Sequence, residues 1–209
     1  MVPYHKLPLG QRWLLKLRQQ QEGELLPVAT AEDDTYRHWG FRVYRTSYEP
    51  SSNQTWEDII KQMRESVGEA IATLLEAEDD DPDVLKLSEL FHLDVQSDAA
   101  TLDGLDFDQI RQVHQSAANL DGTLCTKGVF LVADRDVFED NDNTPIKCVQ
   151  GNYMATDYDS AERYFGWMKM TTQSVADLWF QLEFRSGGLD EFAPQTIDGM
   201  HLEIWEGAD

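Results

Sequence analysis

GFRVYRT (40–46) alternates along its length, with Phe41 and Val43 on one side of an extended chain and Arg42 and Tyr44 on the other. It is rich in β-branched and aromatic residues, and it reads as the first strand. Downstream, YEPSSNQT is a turn-rich loop, and WEDIIKQMRESVGEAIATLLE (56–76) carries Trp56, Ile59, Ile60, Met63, Val67, Ile71, Leu74 and Leu75 on one helical stripe. Thr55 is its expected N-cap, with Glu57 and Asp58 in the first turn, where the helix dipole favours acid. The run EDDDPD (78–83) ends this helix and lacks the alternating ligands, central Gly and terminal Glu of a calcium loop, so a solvated acidic loop is expected. Upstream, residues 10–20 can form a short helix with Trp13, Leu14 and Leu17 together on one side.

Further along the chain, residues 84–106 read as an insertion of short helical pieces and turns, after which Asp106 is placed to cap DFDQIRQVHQSA. GVFLVAD (128–134) is a continuous apolar run of the kind a strand buried on both faces requires. IKCVQ reads as a short extra strand and YFGWMKM (164–170) as another. SVADLWFQLEF (174–184) is amphipathic, with Ser174 as cap and Asp177 three residues on. MHLEIW (200–205) alternates again, setting Met200, Leu202 and Ile204 against His201, Glu203 and Trp205. The order of strong elements is therefore β–α–(insert)–β–β–α–β. That order predicts an α+β fold, a ferredoxin-like split βαβ sheet with an inserted helical segment and an N-terminal helical arm. In that topology the first strand lies beside the last. Arg42, Tyr44, His201 and Glu203 then share an open sheet face, where they are candidate substrate-binding residues.

Charge divides the chain unevenly. Thirty-nine acidic residues against 17 Lys and Arg leave a net charge of −22 over 209 residues. Residues 1–45 carry +2 and the remaining 164 carry −24. The expected organisation is a mildly basic N-terminal arm (1–36) on a single acidic α+β domain (37–209). Such a body repels polyanions, which argues against a stable nucleic-acid complex. The cations that could touch phosphate are Lys6, Arg12, Lys16, Arg18, Arg37, Arg42 and Arg45. The N-terminal stretch has no apolar run of signal length, and no window approaches a membrane span, so a cytoplasmic setting without a membrane partner is expected. Cys125 and Cys148 fit no zinc or CxxC spacing and are expected as separate thiols.

No P-loop, G-x-S-x-G, H-E-x-x-H or G-x-G-x-x-G occurs, and the five histidines form no metal-ligand pair at helical spacing. His114 reads as a packed histidine beside an apolar stripe. Two D-x-x-E sequences remain, Asp136–Glu139 and Asp159–Glu162. At i and i+3 on a helical turn such carboxylates face the same way, and they can hold a guanidinium or amine or divide acid and base roles. An acidic chain produces D-x-x-E by composition alone. Asp136 and Glu139 are favoured because they follow a buried strand, where sites are commonly built.

RHWGFRVYRTSY (37–48), the apolar strand ending in ADRD, PIKCVQGNY (145–153) and YFGWMKM together resemble a large group of small proteins of filamentous fungi. Their pattern is Trp-Gly-Phe-x-hydrophobic-Tyr-Arg-Thr near the start and Gly-Trp-Met-Lys/Arg near the end, and the resemblance spans about residues 37–205. Among such proteins the chain resembles the arginine-containing cyclodipeptide synthases, which carry a D-x-x-E motif. This resemblance implies an aminoacyl-tRNA-dependent transferase of fungal secondary metabolism. It would take arginyl-tRNA and a second aminoacyl-tRNA, each bound transiently, and make a cyclo(Arg-Xaa) diketopiperazine. Asp136 and Glu139 would be its catalytic pair, with Asp159 and Glu162 matching the same letters. The activated esters supply the driving force, so no cofactor and no metal is implied. The alternative from the residues alone is a non-catalytic ferredoxin-like module that binds a protein or small molecule through its open sheet face.

Overall fold

A computed structural model of the chain describes residues 3–18, 36–118, 128–140, 145–154, 164–185, 188–194 and 203–207. The alternating stretch forms β1 (Trp39–Arg45), but both its faces are buried. Its immediate neighbours are β2 (Phe91–Gln96) and β3 (Val129–Ala133), and it runs parallel to each. β4 (Pro145–Gln150) and β5 (Trp167–Thr171) continue the sheet antiparallel, and β6 (Ile204–Trp205) pairs parallel with β5 at the edge. The fold is α+β, and the described residues form one mixed sheet of six strands in the order β2-β1-β3-β4-β5-β6.

Two expectations are corrected here. The strand order is not the ferredoxin-like one: β1 and β6 are four strand positions apart, roughly 19 Å at ordinary spacing. The segment expected as a helical insertion contains β2, which takes the place beside β1 expected of the last strand. Gly40 makes that pairing possible. Its φ of +138° is in a region that L side chains rarely adopt, and a Cβ there would lie 2.1 Å from the His92 carbonyl oxygen.

The long helix predicted for 56–76 is two helices, α2 (Ser52–Glu65) and α3 (Val67–Leu75), parted at Ser66. Thr55 lies inside the first rather than capping it. α3 stops on Glu76, whose left-handed backbone precedes the acidic run, and the run itself starts α4 (Pro82–Leu90). Asp81 caps α4 by accepting from the Asp83 amide at 2.8 Å, with Pro82 in its first turn. Together with α1 (Leu9–Leu17) and α8 (Val175–Phe184), these helices cover one sheet face. Trp13 is fully buried there, stacked on Trp179 at 5.1 Å and tilted against Trp39 at 5.0 Å. The described part of the expected arm thus belongs to the main core. Ser174 precedes α8 without a side-chain cap; its hydroxyl meets that of Thr171 instead.

The opposite face is covered too. α5 (Ala99–Leu102) and α6 (Phe107–Ala118) place Leu102 and Ile110 against Tyr44, Phe130, Val132 and Val149. α6 begins as expected at Asp106, whose carboxylate accepts from the Gln109 amide at 2.9 Å while the Gln109 side chain accepts from the Asp106 amide at 3.0 Å. The sheet face expected to be open is therefore an interior, and strands β1, β3, β4 and β5 alternate between two cores. Among the described residues no helix is long and apolar enough to cross a membrane.

Candidate functional site

A sheet with β1 and β3 parallel and adjacent, and with the chain leaving them in opposite directions, opens a crevice beyond their carboxyl ends. From β1 the chain turns back towards β2, and from β3 it passes through α7 (Arg135–Glu139) to β4. A cleft of about 520 Å³ occupies that crevice. One wall is the loop after β1, residues 46–49; a second is the α5–α6 turn, residues 103–105; the third is Asp134, Arg135 and Asp136. Backbone hydrogen bonds stitch the walls together: the Thr46 amide donates to the Ala133 carbonyl at 3.0 Å, and the Gly104 amide to the Thr46 carbonyl at 2.9 Å.

The lining is charged mainly with one sign. Glu49, Asp103, Asp134 and Asp136 supply carboxylates, and Arg135 is the single cation among the described lining residues. Beneath Asp134 and Asp136 lies Lys147, whose side chain is 3% exposed. Its Nζ donates to Asp134 Oδ2 at 2.6 Å and to Asp136 Oδ2 at 2.8 Å. The ammonium also lies 5.0 Å from the Trp167 ring and 5.6 Å from that of Phe107. Hydrogen bonding to Lys147, reinforced by its charge, lowers the Asp136 pKa. Asp134 has a second task, accepting from the Val137 amide at 3.3 Å as the cap of α7. One buried lysine therefore aims two carboxylates, spaced i and i+2, at the mouth of the crevice.

Across the cleft, Tyr48 donates its hydroxyl to the Arg45 carbonyl at 2.8 Å, and burial pushes its pKa up to about 12. Arg45 is buried behind this loop among the rings of Tyr48, Trp56 and Phe138. It donates to the Ser47 carbonyl, Ser52 Oγ and Asn53 Oδ1, so it braces the loop rather than facing the cleft.

The residues singled out from the sequence separate in space. Asp136 lies in the cleft; Glu139 is exposed at the far end of α7, outside its lining. Arg42 is buried and paired with Asp94 at 2.5 Å, and Tyr44 is buried with its hydroxyl 3.3 Å from His114 Nδ1. Both lie beneath α6, so neither offers a surface to a ligand on an open face. Glu203 is exposed just before β6, at the other end of the sheet. His201, Asp159, Glu162 and Cys125 lie outside the described residues. Cys148 is a buried free thiol whose pKa burial raises well above the usual value. Of the basic residues considered for phosphate contact, Arg42 and Arg45 point to opposite faces of the sheet, and Lys16 is paired with Glu183 at 2.9 Å.

Sequence reasoning missed Asp134, Lys147, Glu49 and Asp103. One signal was present: ADRD directly follows the most buried strand, and its carboxylates are two apart rather than three. No family model, no curated protein and no solved structure matches the chain.

Proposed function

We propose that the crevice beyond β1 and β3 binds a guanidinium or amine group, and that the protein is an arginine-containing cyclodipeptide synthase acting on arginyl-tRNA and a second aminoacyl-tRNA. One observation carries the reading: among the described residues four carboxylates and one cation line the cleft, and the carboxylates of Asp134 and Asp136 are anchored by a buried lysine. Held ionised by Lys147, Asp136 is suited to fixing a cationic side chain and poorly suited to donating a proton. In the proposed reaction the arginyl amine attacks the ester carbonyl of the other aminoacyl-tRNA. An amide forms, the ester C–O bond breaks, and the proton lost by the amine ends on the released 3′-oxygen. The free amine of the dipeptide then attacks the remaining ester in the same way and closes the ring. Positioning by the cleft suffices for both steps, because the esters are already activated. Asp136 is the catalytic-site residue this reading retains, and Asp134 joins it in place of Glu139.

A second reading is a non-catalytic module that holds a cationic small molecule or peptide in the same cleft. It is favoured by the absence, among the described lining residues, of any His, Cys or Lys. Expression in a heterologous host separates the two. The synthase gives a new arginine-containing diketopiperazine by mass spectrometry, lost in Asp136→Ala and kept in Glu139→Ala. An unchanged metabolite profile from soluble protein, with charged arginyl-tRNA confirmed, rejects it.

A further inference from the structure

The one cation lining the cleft among the described residues is itself a guanidinium. Arg135 NH2 lies 3.8 Å from Glu49 Oε1, with the two side chains 68% and 64% exposed. Arg135 reaches across from the α7 side to the loop after β1, between the walls a ligand would have to part. A contact this long and this exposed contributes little to stability, and neither side chain has a buried role. Lys147 engages Asp134 and Asp136, whereas among the described residues Glu49 forms an ion pair with Arg135 alone.

From this arrangement we infer that Glu49 is the specificity-determining residue for a guanidinium-bearing ligand, and that Arg135 is a built-in competitor occupying its place while the cleft is empty. The inference rests on reading the cleft as a cation site. A ligand guanidinium displaces that of Arg135 from Glu49, and the released Arg135 side chain swings towards solvent. Ligands without a side-chain cation leave the internal pair in place. Discrimination against neutral side chains comes from Glu49, which only a side-chain guanidinium or amine can satisfy, while Arg135 lowers the affinity of such cations and leaves neutral ligands unaffected.

Titration calorimetry with L-arginine methyl ester and its neutral isostere L-citrulline methyl ester tests this at low ionic strength. Arg135→Ala is expected to tighten the arginine ester roughly two- to fivefold, the range for an exposed ion pair, and to leave the citrulline ester unchanged. Glu49→Gln should weaken the arginine ester and abolish the gain when combined with Arg135→Ala. Lys61→Ala removes an equally exposed charge on α2 away from the cleft and should change neither ester. Both cleft side chains are exposed, so unchanged thermal midpoints confirm that the variants fold. If the wild-type protein binds the arginine ester and Arg135→Ala does not alter the affinity, or if Lys61→Ala gives the same gain, the competitor is rejected and the cleft reading stands. If no variant binds either ester, the cleft reading falls and the competitor with it.

Discussion

His114 shows how a residue without a distinctive motif acquires a definite state from its surroundings. It lies on the sheet-facing side of α6, 4.5 Å from the Phe130 ring and edge-on to Tyr44, and it is 6% exposed. Burial, with the Arg42 guanidinium nearby, holds its pKa down at about 4. The folded protein therefore keeps this imidazole neutral over a range in which the unfolded chain, near 6.5, protonates it. Between those values the unfolded state binds the extra proton, so stability falls as pH drops from about 6.5 to about 4, by about 3 kcal/mol over the window. Denaturant titrations across that range check this, and His114→Phe should flatten the slope. An unaltered slope in the variant would show that other groups carry the acid sensitivity. Asp136 contributes in the same direction: its folded pKa is also lowered, giving stability that is present above the usual carboxylate range and is lost as pH falls through it. Neither partner set is visible locally. Arg42 finds Asp94 52 positions away, and Lys147 finds Asp134 13 positions away, because strand pairing brings them together.

At the scale of elements, the strongly periodic segments were legible and the weakly patterned one was not. The buried strand at 129–133 and the helix beginning at Asp106 stand where the residues predict them. FHLDVQ falls within the expected insertion of short helical pieces and turns (84–106), and it follows VLKLSEL without an intervening turn residue. Its own alternation is short, with only Leu93 fully buried. What makes it a strand is the open edge of β1, together with a glycine at position 40 that lets the two backbones approach. Gly40→Ala should therefore cost about 3 kcal/mol or more, since its Cβ meets backbone rather than a flexible side chain. A lowered denaturation midpoint together with faster amide exchange in β2 would confirm it. Exchange accelerated uniformly over the sheet would instead mean that the β1–β2 pair is not a separable weak point. The split of the helix at Ser66 is likewise tertiary. It lets α3 pack against α4 and α8 while α2 reaches the carboxyl end of β1.

For the whole molecule, the charge of −22 favours cations and disfavours polyanions. The affinity for arginine methyl ester should fall several-fold between about 0.01 and 0.5 M salt, as the Debye length shrinks from roughly 30 Å to a few Å. Deacylated tRNA should give no retained complex in filter binding at about 0.15 M salt. A salt-insensitive ester affinity would place the binding energy in apolar contacts instead of the carboxylates. The sequence alone determined the α+β class, most of the strands, the acidic body and the candidacy of Asp136. These follow from local periodicity and composition, which each segment carries whatever its neighbours. Strand order, the covering of both sheet faces and the convergence of Asp134, Asp136, Glu49 and Asp103 on one crevice were decided by tertiary structure. They depend on which strands pair and on where the chain leaves them, and that is a competition among distant segments for hydrogen-bonded edges and buried area.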